Sequence, residues 1–110
     1  MLRIAMTHAA SGLLRALLTW IGDPTDRILL TEIQSVDWQS LTFTGETHVM
    51  TLRVPGPNAD TIVGRLALGL GDMEFSIPGH LVADIAVAGA PAHALDGSVT
   101  LAIEALTIAE

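Results

Sequence analysis

His80 and Asp84 are the two residues in this sequence whose types and spacing most suggest a chemical site. They lie four residues apart, directly after Pro78-Gly79. On a helix this spacing would place both side chains on one face, within reach of a single metal ion. The surrounding stretch HLVADIAVA (80–88) instead predicts a strand that opens after a Pro-Gly turn. On a strand the two side chains share a face about 13 Å apart, at 3.3 Å per residue, so we predict no metal site.

The histidines as a group show no spacing typical of a metal centre or a metalloprotease. They are His8, His48, His80 and His93. His48 has the same strand parity as Met50 and Leu52, so we expect it beside an apolar face, where histidine is usually structural. It is also a candidate for a general base, as is His80.

Glu32 and Asp84 are a second pair of candidates, because the stretches around them resemble each other. LLTEI (29–33) aligns with LVADI (81–85). If the two halves of the chain pack as a pseudo-dimer, the carboxylates approach each other on adjacent strands and the pKa of one rises, as in an acid–base pair. The alternative is two solvated carboxylates, or edge charges that prevent aggregation.

Other kinds of catalytic site find little support in the residues. The chain has no cysteine, which removes disulfides, thiolate zinc sites and cysteine nucleophiles. Ser11-Gly12 is not a nucleophile elbow. The glycines of PGPNADT (55–61) and GLGD (69–72) do not follow a phosphate-binding pattern. We therefore predict no cofactor, and the candidate catalytic residues remain His48, His80, Asp84 and Glu32, with Glu104 as a further carboxylate.

The charge balance excludes several classes of partner. Twelve acidic residues face five scattered arginines, and the net charge is −7. Nucleic-acid binding and docking to anionic membranes both need clustered basic residues, so we expect neither. The apolar N-terminal stretch is interrupted by Arg15 and Asp23 and is too short to span a membrane. No cleavage site of a signal peptide follows it, so we expect a cytoplasmic protein.

The apolar composition predicts self-association. Half of the residues are hydrophobic, only 15% are charged, and the mean hydropathy is +0.52. Soluble domains carry about 25% charged residues on average. A domain of 110 residues has a large surface relative to its volume, so this composition leaves apolar side chains outside. We expect a homo-oligomer, most simply a two-fold dimer.

Two helices are predicted from apolar periodicity. GLLRALLTWI (12–21) has a buried stripe at helical spacing, with Thr7 or Ser11 as its N-cap, and Gly22 with Pro24 ends it. The second helix begins after PGPN (55–58) with Asn58 as N-cap.

Strands fill most of the remaining chain. Gly45 predicts a hairpin turn at 44–47, and a change of parity near Ala105 predicts a bulge in the last strand. The predicted strands are 2–6, 27–33, 37–43, 48–54, 73–77, 80–88 and 98–108, with a loop at 89–97.

These elements predict one α+β domain over residues 1–110. Its core is a single antiparallel sheet of five to seven strands with two helices on one face. RALLTWIGD (15–23) resembles RLALGLGD (65–72), so each half reads as a helix followed by two strands. The arrangement is a possible duplicated αββ unit and is ferredoxin-like in general character.

Three functions are consistent with these observations. The favoured one is a non-enzymatic homo-oligomeric module that binds a partner or a small apolar ligand. The first alternative is a small-metabolite enzyme that uses His48 or His80 with a carboxylate at a subunit interface. The second is a structural subunit of a larger assembly.

Overall fold

The computed structural model describes residues 6–22 and 28–110. The predicted strand at 2–6, apart from Met6, and the Asp23-Pro24 stop lie outside the described residues. A single 3₁₀ turn, Leu70–Asp72, follows the second helix. The helices and strands, in chain order, are α1 (His8–Ile21), β1 (Leu29–Gln39), β2 (Thr44–Val54), α2 (Ala59–Gly69), β3 (His80–His93) and β4 (Val99–Ala109).

The architecture is α+β, with one antiparallel sheet and two helices packed against it. The strand order is β1-β2-β4-β3, and every neighbouring pair is antiparallel. The prediction of five to seven strands is wrong for the described residues, which form four. One pair of predicted strands merges, because 29–33 and 37–39 both belong to the single strand β1 while 40–43 form the turn that follows it. The predicted strand at 73–77 contributes only the isolated bridge between Ile77 and His80.

Helix α1 starts four residues earlier than predicted because Thr7 caps it. The backbone N–H of Ala10 donates to Thr7 Oγ1 at 3.2 Å, which satisfies one of the free donors of the first turn. Leu13 and Leu17 are fully buried against the sheet. The helix ends where predicted, at Gly22, whose φ of +78° suits a residue without a Cβ atom.

Helix α2 follows Asn58 as predicted, although the Asn58 side chain makes no capping hydrogen bond. Ile62 and Leu66 form its buried stripe. The two helices approach closely at Gly69, where a Cβ atom would lie 2.5 Å from the Trp20 ring. The resulting core lies between the helices and the two central strands. Its fully buried large apolar side chains are Leu13, Leu17, Met50, Leu52, Val54, Leu66, Val99, Leu101 and Ile103.

The first hairpin turns at residues 40–43 and not at 44–47. Gly45 lies inside β2, opposite Trp38 on one side and Ile108 on the other. A Cβ atom on Gly45 would lie 1.9 Å from the carbonyl oxygen of Thr107. The glycine is therefore needed for the close approach of β2 and β4, and the turn prediction mistook it for a turn residue.

Strand β3 carries the irregularities that the sequence suggested for β4. The pairing of β4 with β2 is continuous, so the predicted bulge near Ala105 is absent. Its neighbour β3 has one register shift between Val82 and Asp84 and a second between Ala88 and Ala92. Leu106 and Ile108 do lie on the face opposite Val99, as expected from their parity, and no bulge is needed to place them there.

The two faces of the sheet have different environments. Register and alternation place His48, Met50 and Leu52 on the face covered by the helices. The opposite side, here called the bare face, is not covered by any described element. Its side chains on the two central strands are Thr47, Val49, Thr51, Arg53, Thr100, Ala102, Glu104, Leu106 and Ile108. Among the described residues, neither helix is long and apolar enough to cross a membrane.

Candidate functional site

His48 forms the centre of a small polar cluster on the helix-covered face. It lies on β2, is 1% exposed, and bridges both neighbouring strands. Its Nδ1 lies 2.8 Å from Ser35 Oγ on β1, and its Nε2 lies 2.9 Å from Thr107 Oγ1 on β4. Both ring nitrogens therefore have hydroxyl partners, which satisfies the hydrogen-bonding requirement of a buried polar group.

The hydrogen bonds of Thr107 indicate the tautomer of His48. The Thr107 hydroxyl donates to the carbonyl oxygen of Glu46 at 3.5 Å. Since its proton is used there, Thr107 Oγ1 accepts from His48 Nε2–H, and Nδ1 accepts from the Ser35 hydroxyl. This arrangement suits a neutral imidazole.

Burial also lowers the pKa of His48, because the charged ring would lose its hydration. The carboxylate of Glu46 acts in the opposite direction and favours the charged ring, whereas proximity to His80 lowers the pKa further. Desolvation is the largest of these effects, so His48 remains uncharged at neutral pH.

His80 lies on the same side of the sheet, at the beginning of β3. Its Nδ1 is buried and has no hydrogen-bond partner among the described residues. Its ring lies against that of His8, with the centroids 5.6 Å apart. His8 Nε2 in turn lies 3.3 Å from the carbonyl oxygen of Pro78, to which it donates. The first residue of α1 therefore contacts the turn that precedes β3.

A depression of about 410 Å³ lies beside His80, where the sheet extends towards the first hairpin. Asp37 and Glu46 are direct cross-strand partners here. A small molecule in this depression would meet two carboxylates and the imidazole of His80. The lining residues are Asp37, Trp38, Gln39, Thr44, Gly45, Glu46, His80 and Ala109.

The structure separates His80 from Asp84 more completely than the strand prediction did. One extra residue, Ala83, enters β3 between Val82 and Asp84. A bulge of this kind reverses the alternation, so His80 faces the helix side and Asp84 faces the bare side. The prediction that they share a face is wrong.

Glu32 and Asp84 do not approach each other. They lie on β1 and β3, which are the two edge strands, with β2 and β4 between them. Three strand spacings of about 4.8 Å place their strands about 14 Å apart. The register adds to this distance, because Glu32 is level with Ala88, four residues along β3 from Asp84. Glu104 also points to the bare face, opposite Val49 and Ala86. No candidate carboxylate named from the sequence therefore shares a sheet face with His48.

His93 makes a separate contact at the far end of β3. Its Nε2 lies 2.7 Å from Asp60 Oδ1 in the first turn of α2, and both side chains are well exposed. Among the described residues, no group of histidines and carboxylates has the geometry of a metal site.

The sequence interpretation missed Ser35 and Thr107, and it named His8 without giving it a partner. Ser35 faces His48 only if the hairpin turns at 40–43, so the misplaced turn hid this pair. Thr107 contacts His48 across strands 59 residues apart in the chain. The available signal was that Ser35 and Thr107 are polar residues at strand positions whose side chains point to the helix-covered face.

Comparison with known proteins adds no evidence on the function of this chain. No family model, curated protein or solved structure matches this chain.

Proposed function

We propose that this protein is a non-enzymatic binding module that acts as a homodimer. The observation that carries the proposal is the series of exposed apolar side chains along β1 and its hairpin, which includes four of the nine large exposed apolar residues that the structure describes. Leu29 and Val36 are 50% and 61% exposed on the strand, and Leu41 and Phe43 are 105% and 56% exposed at the turn. Exposed apolar side chains along an unpaired edge strand favour an interaction surface there.

The occupant that we propose for this surface is a second copy of the chain. A molecule with a net charge of −7 repels its own copy, so a contact between two copies must avoid opposed carboxylates. Strand β1 meets this condition, because its central part from Ile33 to Val36 carries no charge.

The non-enzymatic part of the proposal rests on how the candidate residues are engaged. His48 uses both ring nitrogens in structural hydrogen bonds. A general base must instead reach a substrate proton. Glu32, Asp84 and Glu104 lie on the opposite side of the sheet from His48, which supports a structural role for this histidine.

A second candidate function is favoured by one observation, the Nδ1 of His80 beside the depression, which has no hydrogen-bond partner among the residues that the structure describes. A small-metabolite enzyme would use His80 with Asp37 or Glu46 as its acid–base residues. The depression is partly polar, so a ligand that donates hydrogen bonds fits it. The small apolar ligand expected from the composition remains a prediction.

The finer description of the fold is also part of this proposal. We infer a duplicated αββ unit, supported by the symmetric strand order β1-β2-β4-β3, in which β2 and β4 are the central pair. The order αββαββ is that of a ferredoxin-like βαββαβ sandwich whose first strand has moved to the end, which supports the ferredoxin-like description. A cytoplasmic location is proposed as well. It is consistent with the burial of Leu13 and Leu17 in the folded core.

Native mass spectrometry and light scattering of the purified protein test the proposal, provided that purification avoids a metal-affinity step. We expect a dimer whose fraction falls on dilution. A strict monomer at micromolar concentration would contradict the proposal, and open-ended polymers would favour a structural subunit.

The same spectra also test the enzyme alternative, because they give the mass of any small molecule that the purified protein retains. A retained polar metabolite that shifts the NMR signals of His80, with binding lost in His80→Ala but kept in His93→Ala, would favour the second candidate. Unchanged His80 signals on addition of a metabolite mixture would favour the binding module.

A further inference from the structure

The two edges of the sheet differ in whether another strand can pair with them. Strand β3 is interrupted by the extra residue Ala83 and again between Ala88 and Ala92. Gly89, with a φ of +70°, and Pro91 fall within the second interruption. Bulges and proline are the devices by which sheet proteins prevent pairing at an edge. The β3 edge therefore offers a further strand only short regular segments.

Strand β1 lacks these devices over most of its length. Its only register shift lies between Leu30 and Glu32, and from Glu32 to Gln39 every residue pairs regularly with β2. This segment contains no proline or glycine. No described residue pairs with its outer side. The segment consequently presents a regular row of backbone donors and acceptors to a partner strand.

We propose that a second copy of this chain pairs antiparallel with β1, joining two four-stranded sheets into one of eight strands. This inference rests on the proposed homodimer and names its interface. A two-fold axis perpendicular to the sheet relates the copies, so directly opposed residues lie on the same face and one residue lies opposite its own copy.

The charges along β1 and the regularity of its pairing with β2 select the residue that lies on the two-fold axis. An axis at Asp37 would place two carboxylates directly opposite each other, which is destabilising in a cross-strand pair. An axis at Ser35 would extend the pairing to Thr31, within the irregular part of β1. An axis at Val36 uses only the regular segment and pairs Val36 with Val36 of the second copy.

The same register gives acceptable neighbours on both sides of the axis. Trp38 lies opposite Gln34 of the second copy, and Asp37 lies opposite Ser35 of the second copy. Val36, which is 61% exposed in the single chain, becomes covered on one side by its own copy. The bare faces of the two sheets become continuous across the axis.

Disulfide trapping tests the register directly, because the chain has no cysteine. Val36→Cys places two sulfurs across the axis at a spacing that a disulfide accepts. We expect this variant to convert to a covalent dimer under mild oxidation. Leu81→Cys is the matched control, since Leu81 is 56% exposed on β3 and should remain largely uncrosslinked.

A charge-pairing experiment supplies a second readout. Val36→Glu and Val36→Lys each place like charges across the axis, so each variant alone should dissociate to monomers. An equimolar mixture should form the heterodimer, which native mass spectrometry resolves by mass. Circular dichroism checks that each variant is folded.

The outcomes separate this inference from the proposed function. A monomeric unsubstituted protein overturns both. A dimer that crosslinks through Leu81→Cys but not through Val36→Cys, or that survives both charged substitutions, retains the homodimer and overturns pairing through β1. A covalent Val36→Cys dimer together with heterodimer formation supports both.

Discussion

Ser35 and His48 face each other as direct cross-strand partners on β1 and β2, with Ser35 Oγ 2.8 Å from His48 Nδ1. Thr107 completes the contact from the other neighbouring strand. A fully buried imidazole thus connects three strands of the sheet through hydroxyl groups. The arrangement stabilises the fold and leaves His48 without a free nitrogen for chemistry.

Replacing this imidazole is expected to destabilise the protein. His48→Ala leaves a cavity and removes the partner of two hydroxyl groups, so we expect the free energy of unfolding to fall by about 2–4 kcal/mol. Urea denaturation measures the change. The control His93→Ala removes an exposed contact and should change stability by less than about 1 kcal/mol. Equal effects of the two substitutions would contradict the structural role of His48.

Stability is expected to fall when the solution is acidified through the ordinary pKa of histidine. The pKa of His48 is lowered in the folded state from 6.5, so below that pH the unfolded chain binds more protons than the folded one. Its contribution to stability is therefore present above pH 6.5 and declines as the pH falls towards the lowered pKa. The slope from this one group is at most about 1.4 kcal/mol per pH unit.

Thermal or urea denaturation between pH 8 and pH 5 measures this dependence, with His48→Gln as the comparison. The substitution removes the titrating ring and keeps a polar side chain. The unsubstituted protein should lose more stability on acidification than the variant, and parallel curves would assign the loss to other groups.

Gly45→Ala is expected to disrupt the pairing of the two central strands. The added methyl carbon would lie 1.9 Å from the backbone carbonyl of Thr107, and a backbone atom cannot move aside as a flexible side chain does. We expect the free energy of unfolding to fall by more than about 2 kcal/mol. Gly64→Ala is the matched control. Gly64 lies on helix α2, and a Cβ atom there would have nothing within 4 Å. The substitution should therefore raise the free energy of unfolding by up to about 1 kcal/mol.

The two helix N-termini are expected to respond differently to loss of their capping side chains. Thr7→Ala removes the oxygen that accepts from the Ala10 N–H. The substitution should therefore lower the free energy of unfolding by about 1 kcal/mol. Asn58→Ala removes a side chain that makes no capping hydrogen bond, so its effect should stay within about 0.5 kcal/mol. Denaturation of both variants under one buffer condition makes the comparison. A larger effect at Asn58 would show that its side chain caps α2 in solution.

The sequence by itself determined the class of the fold and the helix faces. Helical periodicity and the Gly22 stop are local patterns, set within a few turns of chain. The predicted stripe of Leu14, Leu17 and Ile21 is correct for Leu17 and Ile21, whereas the structure buries Leu13 in place of the half-buried Leu14. The parity of His48 with Met50 likewise predicted the face on which it is buried.

Only the tertiary structure decided the register of the strands and therefore the composition of the site. Gly45 reads locally as a turn residue, and its actual role depends on the carbonyl of Thr107, which is distant in the chain. The extra residue Ala83 reverses the side of the sheet on which Asp84 lies, because one inserted residue changes the alternation of a strand. Contacts between distant strands set these features, so local pattern places histidine on a face but leaves its partners undetermined.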